Sequence, residues 1–253
     1  MLIPSFCPLA HSPVLSFSTH LRSNGAKDAI DRCFPGMEVA KEQDFDITLQ
    51  LDCDRVTQDK VKLISDLCEL KKVVCGGPIE KALTSLLKKE APGPVLQINY
   101  RKNESMFICP SSGKVVIVFM VDFADQTDKA MAKVFLQEFV EAQRTVRTAP
   151  PVQYLREAPG ELSALNLKYS PDIAGFISFA LEERHVQGAR LNTAVTLLTG
   201  FRSYLLYHIK CSKTYLHMRM RKRVAGWMQV LNRALPEVET EKKTAAGKTF
   251  TRK

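Results

Sequence analysis

The sequence predicts an α+β protein built as two related α/β domains with mostly antiparallel sheets, the second of which ends in a long helix. Residues 44–52 alternate apolar and polar side chains as a half-buried strand does, and three further strand-like runs follow position 94. Segments with helical periodicity alternate with the strand-like regions, and no proline interrupts residues 192–235. The order strand, helix, strand, long helix occurs twice, so we predict two copies of one plan.

A proline-rich lead and a small domain are predicted for the first third of the chain. Residues 1–13 lack periodicity and a basic start, so we expect a loose segment and neither a signal nor a transit peptide. In the first domain, residues 14–92, VLSFS is predicted to be a short strand, AKDAIDRCF a short helix and DFDITLQLD a strand. Residues 58–89 are predicted to be helical, with a break at the Gly-Gly-Pro sequence of residues 76–78.

The second domain is predicted to begin after Ala91–Pro94, where two prolines flank a glycine, and to cover residues 93–235. VLQINY, MFIC and KVVIVFMVDF predict a β-meander, because turn-forming residues separate the three runs. A helix is expected over residues 125–144, with Asp125 or Thr127 as its N-cap.

The end of the second domain is predicted to be dominated by one helix. TAPPVQYL reads as an extended piece, IAGFISFAL as a strand and ERHVQGARLN as a turn. The proline-free residues 192–235 then predict a helix of about 44 residues, roughly 65 Å long at 1.5 Å per residue. Residues 236–253 are predicted to form a polar basic tail.

The positive charge of the chain is concentrated in this C-terminal region. From Phe201 onward there are 13 lysines and arginines against 3 acidic residues, whereas the first 200 residues carry 23 against 24. An acidic or polyanionic partner is therefore expected there.

The predicted C-terminal helix carries an apolar stripe along nearly its whole length. Its members recur three, four or seven positions apart, as one face of a helix requires. Because a domain of about 100 residues has a radius of gyration near 13 Å, part of this helix is expected to need a partner helix from another chain. The apolar stripe comprises Val195, Leu198, Phe201, Leu205, Ile209, Leu216, Met220, Val224, Trp227 and Leu231.

Nothing in the sequence has the pattern of an enzyme or of a metal site. The G-x-S-x-G, P-loop, G-x-G-x-x-G and H-E-x-x-H motifs are absent. His208 and His217 are nine residues apart, about 180° around a helix, so they and Cys211 cannot converge on one ion. No catalytic residue, cofactor or metal is expected.

Nucleic-acid binding is the main alternative to a role in protein assembly. Lys210, Lys213, His217 and Arg221 follow one helix face with tyrosines nearby, which suits phosphate contacts and base stacking. Long basic side chains are equally typical of a solvated face. A membrane role fits poorly, because no run approaches about 18 apolar residues and the tail is polar. The residues alone leave a stand-alone nucleic-acid-binding protein and an assembly scaffold open.

Several long runs resemble the family of large scaffold subunits of the actin-related protein 2/3 complex. They are KVFLQEFVEAQR, TAPPV, GFISFAL, FRSYLLYHIKCSKTYLHMRMR, VLNRALPE and GKTFTRK. The resemblance is dense over residues 95–253 and fainter over residues 15–90. The family begins with an additional strand region ahead of VLSFS, which MLIPSFCPLAHSP replaces here, so the first domain is expected to lack one or two strands.

The resemblance implies a non-catalytic core subunit in the cytoplasm, at the actin cytoskeleton. It implies antiparallel pairing of the long helix with the smaller fourth subunit, support of the two actin-related subunits and contact with the side of the mother actin filament. We expect the helix interface at Phe201, Leu205, Ile209, Leu216, Met220, Val224, Trp227 and Leu231. We expect filament contact at Lys210, Lys213, Arg219, Arg221, Lys222, Arg223 and Arg233.

Overall fold

The computed structural model describes most of the chain between residue 60 and residue 233. The described residues are 5–6, 13–14, 25–40, 48–50, 60–101, 103–146, 148–233, 242–243 and 249–250. The chain divides into two units, Met1–Ile209 and Lys210–Lys253.

Short paired strands make up much of what is described before residue 60. Strands β1 (Ser5–Phe6) and β2 (Pro13–Val14) pair antiparallel, as do β3 (Glu38–Val39) and β4 (Thr48–Leu49). Helix α1 (Lys27–Cys33) confirms the short helix predicted from AKDAIDRCF. Apart from Val14 and residues 48–50, the predicted strands VLSFS and DFDITLQLD lie outside the described residues.

A five-stranded antiparallel sheet forms the centre of the first unit. The predicted meander is confirmed, and two later strands complete the sheet in the order β5-β6-β7-β9-β8. Gly113, at φ 80°, occupies the turn between β6 and β7. The strands are β5 (Leu96–Arg101), β6 (Glu104–Ser111), β7 (Lys114–Val121), β8 (Val152–Leu155) and β9 (Gly175–Glu182).

Helices account for most of the remaining described residues. Helix α4 begins where predicted, because the Asp125 carboxylate accepts a hydrogen bond from the Asp128 N–H at 2.9 Å and thereby caps it. The predicted turn ERHVQGARLN contains a one-turn helix and the start of the long one. The helices are α2 (Lys60–Cys68), α3 (Leu70–Leu87), α4 (Gln126–Thr145), α5 (Glu183–Val186) and α6 (Arg190–Arg233).

Both faces of the sheet are covered, which explains why β7 is apolar at every position after Lys114. Alternate residues such as Ile117 and Phe119 lie in a first core with helices α1, α3, α4 and α6. The intervening Val116 and Val118 lie in a second core, closed by a 3₁₀ helix at Gly160–Leu165.

The predicted break at residues 76–78 is wrong, since α3 continues through Pro78 and the interruption falls at Glu69 instead. Tertiary packing overrides the local preference here. A Cβ on Gly76 would lie 2.8 Å from Val195 Cγ1, and one on Gly77 would lie 2.5 Å from the Gly25 carbonyl oxygen. The two glycines therefore permit close approach of neighbouring segments, while buried Ile79 holds the helix against the core.

One α/β unit is evident in the described residues. The first core continues from α3 to the sheet across the loop that contains Ala91–Pro94, and the predicted second copy of the plan stays a prediction. In the second unit, β10 (Lys242–Lys243) pairs antiparallel with β11 (Thr249–Phe250), and the rest of the predicted tail lies outside the described residues.

Candidate functional site

The first turns of α6 are part of the protein's own core. Leu205 and Ile209 are fully buried, and the ring of Phe201 lies 4.9 Å from that of Phe119 on β7 and 5.2 Å from that of Phe179 on β9. The three N-terminal residues of the predicted partner interface are therefore covered within this chain.

A charged side chain interrupts the apolar stripe at Arg202 and is buried with it. The Arg202 guanidinium donates two hydrogen bonds of 2.7 Å to the carboxylate of Glu104 on β6, and the two side chains are only 8% and 5% exposed. Arg202 also lies 4.1 Å above the Phe123 ring and donates to the Asp122 carbonyl at 3.4 Å. This fork-to-fork geometry is the strongest kind of ion pair that a protein side chain forms.

A second buried ion pair holds the start of α4. The Lys129 ammonium lies 3.1 Å from Asp122 Oδ1 and 3.0 Å from Asp172 Oδ2, and it also donates to the Asp172 carbonyl. Burial opposes the charge of Lys129, but these hydrogen bonds outweigh burial and raise its pKa. Hydrogen bonds from Gln126 and Lys129 lower the pKa of Asp172. The Lys129 ammonium and the Asp172 carboxylate thus stabilise one another in their charged forms.

His185 lines a cleft of about 790 Å³ together with Phe139, Phe179 and Tyr204. Its Nδ1 accepts a hydrogen bond of 3.0 Å from the Glu182 N–H, which places the proton of the neutral ring on Nε2. Burial and then the positive charge of Arg184 lower the pKa of His185, so the ring is held neutral.

The apolar stripe has a different environment in the second unit. Trp227 is 73% exposed, and Val224 and Met220 are 61% and 58% exposed. We call Leu216, Met220, Val224, Trp227 and Leu231 the distal stripe. At about 100° per residue these five side chains fall within an arc of about 80°.

Basic side chains surround the distal stripe on the same helix. No acidic residue occurs between positions 210 and 233. Helical geometry places Lys222 and Arg233 on the side opposite the distal stripe and Lys213, which is half-buried, in line with it. Arg219 donates a 2.8 Å hydrogen bond to the Tyr215 hydroxyl. Lys210, Lys213, Arg219, Arg221, Lys222, Arg223 and Arg233 form what we call the basic set.

His208 of α6 has aromatic neighbours, and neither a cluster of metal ligands nor a membrane-spanning helix is found among the described residues. His208 packs against Phe135 and Tyr204, with ring centroids 5.6 and 4.2 Å away. Across the described ranges no group of three or more potential metal ligands occurs, and no helix is long and apolar enough to cross a membrane.

Comparison with known proteins identifies the family. The family model for the 34 kD subunit of the Arp2/3 complex, p34-Arc, matches residues 12–238. The chain belongs to the p34-Arc family. It is 34% identical over 251 residues to Actin-related protein 2/3 complex subunit 2 of Schizosaccharomyces pombe, covering 90% of this chain and 79% of the relative. The subunit of the same name from Dictyostelium discoideum is 32% identical over 247 residues, covering 94% of this chain and 83% of the relative.

Membership of the p34-Arc family decides between the two functions that the residues left open. The protein is a non-catalytic structural subunit of the Arp2/3 complex, the cytoskeletal assembly that nucleates branched actin. Its partners therefore include other subunits of that complex.

Three features of this p34-Arc chain were not predicted from its sequence. They are the pairing of Arg202 with Glu104, the pairing of Lys129 with Asp122 and Asp172, and the burial of the first half of the stripe. The one available signal was an arginine between Phe201 and Leu205, inside an otherwise apolar stripe.

Proposed function

We propose that the distal stripe is the surface on which this subunit binds a helix of the smaller fourth subunit of the Arp2/3 complex, in antiparallel orientation. We further propose that the outward-facing members of the basic set contact the side of the actin filament. The observation that carries the first proposal is the exposure of five apolar side chains in one line on a helix whose earlier turns are buried.

The shape of the distal stripe favours a helical partner. Five side chains within an arc of about 80° over roughly four turns form a narrow seam, which matches one face of another helix. Trp227 at more than two-thirds exposure is the kind of residue that anchors a protein interface when it is covered. An apolar seam that is left exposed to water in this way is typical of a surface that binds another protein.

The charges beside the distal stripe set a requirement for the partner helix. Lys213 lies in line with the stripe and Arg223 lies close to its edge, at about 60° from its middle. A partner helix with acidic residues beside its apolar face would complement the charge of Arg223, whereas a helix with basic residues there would be repelled.

The far side of the helix supports the second proposal. Lys222 and Arg233 are exposed and lie farthest from the distal stripe, so a helix seated on the stripe leaves them accessible. The positive charges of Lys222 and Arg233 are complementary to an acidic surface of the filament.

Thiol labelling tests the helix interface. In a chain with every cysteine except the buried Cys109 replaced by serine, Val224→Cys reports the distal stripe and Met218→Cys reports the opposite side. Co-purification with the fourth subunit is expected to suppress labelling at position 224 and to leave position 218 reactive. Equal labelling at both positions would show that the partner does not cover the distal stripe.

Co-sedimentation with actin filaments tests the basic surface. The double variant Lys222→Glu/Arg233→Glu, assembled into the complex, is expected to bind filaments less tightly, with a difference that shrinks as salt increases. Lys114→Glu/Lys168→Glu is the matched control, because both lysines are exposed and the net charge changes equally. Equal binding by the two variants would remove Lys222 and Arg233 from the filament contact.

A further inference from the structure

The buried half of α6 packs on the sheet through apolar side chains, and the residues one helical turn before them are apolar as well. Leu198, Phe201, Leu205 and Ile209 all point into the first core. If the helix moved along its axis by one turn, about 5.4 Å, their places would be taken by Ala194, Leu197, Phe201 and Leu205. Each replacement is apolar, so hydrophobic burial alone discriminates poorly between these two registers.

Arg202, in contrast, has no equivalent side chain one turn away that could take its place. In the observed register its guanidinium meets the Glu104 carboxylate through two hydrogen bonds of 2.7 Å. After the one-turn shift, Leu198 or Thr199 would stand opposite Glu104, which is buried and would keep no cation beside it. An unpaired buried carboxylate is strongly unfavourable, whereas replacing both members of such a pair by apolar residues is often tolerated.

We propose that the Glu104–Arg202 ion pair is a positioning device that sets the axial register of α6 on the sheet. Its contribution is to select one register, and stability is a secondary effect. Every side chain that α6 presents depends on this register, whichever subunit covers the distal stripe.

The surroundings of the pair hold the guanidinium itself in place. The Phe123 ring lies 4.1 Å below Arg202, and the Asp122 carbonyl accepts from it. Asp122 is in turn held by Lys129 at 3.1 Å. The competing source of register is steric, because Gly76 leaves room for Val195 and Thr199 at the same crossing.

A native thiol makes the register measurable. Cys75 and Thr199 line the same small cavity, so Thr199→Cys should form a disulfide with Cys75 under diamide oxidation in the observed register. Thr196→Cys lies about one turn earlier along α6, and the one-turn shift described above would bring it towards Cys75. All other cysteines except Cys109 are replaced by serine, and the full chain is co-expressed with its complex partners.

Cys109 serves as the folding control. It is buried in the second core, and burial raises its pKa to about 12, so it resists alkylation as long as the sheet is folded. Glu104→Leu/Arg202→Leu is the test variant. Glu104→Met/Arg202→Met, which removes both charges and fills the space of the pair with unbranched side chains, is the second variant.

The outcomes separate register from folding. With the native pair, cross-linking is expected at position 199 and only background at position 196. In the apolar double variant, the yield at 199 should fall with Cys109 still protected, and a rise at 196 identifies the one-turn shift described above. Unchanged cross-linking at 199 overturns the proposal and assigns the register to packing at Gly76. If the leucine double variant exposes Cys109, Glu104→Met/Arg202→Met decides by the same two readings.

Discussion

Trp227→Ala is the change that most sharply probes the distal stripe. A tryptophan buries about 150–250 Å² when it is covered. Because Trp227 is 73% exposed in this chain, a partner helix that covers it removes roughly 110–180 Å² from water, worth about 3–4.5 kcal/mol at about 25 cal/mol per Å². Alanine retains a part of this area, so we expect a loss of about 2–4 kcal/mol, or roughly 30- to 700-fold in the dissociation constant.

The assay is the rate at which this subunit leaves its complex with the fourth subunit. Labelled wild-type chain in excess replaces the released chain, and the exchange rate gives the dissociation rate, in which most of an affinity difference appears. Met218→Ala is the matched control, because Met218 is 57% exposed and lies about 160° around the helix from the middle of the distal stripe.

The result that would refute this reasoning is a Trp227→Ala variant that exchanges at the wild-type rate, as Met218→Ala is expected to do. It would mean that the partner does not cover Trp227, and that the exposed seam is not the subunit interface. An equal loss for both would point instead to a general weakening of α6.

Two further predictions concern the first unit. Phe201→Ala should lower the free energy of unfolding by about 3–5 kcal/mol in urea denaturation, since Phe201 is only 7% exposed, whereas Trp227→Ala should change it by less than about 0.5 kcal/mol. A large effect of Trp227→Ala on unfolding would contradict its exposure. Folding lowers the pKa of His185, so the unfolded chain takes up the proton at a higher pH than the folded chain does. The stability that comes from keeping His185 neutral is therefore fully present above the unfolded pKa of about 6.5, and it is lost as the pH falls below that value. The thermal unfolding midpoint of His185→Gln should therefore fall less than that of the wild type between about pH 8 and pH 5.5. Identical pH profiles would exclude His185 as the source of the pH dependence.

Local rules predicted the helix and strand positions where the pattern was strong. The meander of β5 to β7 follows from apolar runs and turn residues, and α4 begins at a capping aspartate. The same rules failed at residues 76–78, where a glycine pair reads as a helix break. There the helix is held by segments distant in sequence, Gly25 and Val195, which a local pattern does not contain.

The sequence by itself determined the long helix, predicted at residues 192–235 and observed at Arg190–Arg233, the concentration of basic charge and the family. Only the tertiary structure decided how the apolar stripe is divided, because its periodicity is similar on both sides of residue 210. Residues up to Ile209 are covered by a sheet whose strands come from positions 96–182, and those from Leu216 are exposed. Likewise Arg202 meets a carboxylate 98 residues away. Burial and ion pairing depend on what the rest of the chain brings alongside, which one helix's own residues do not specify.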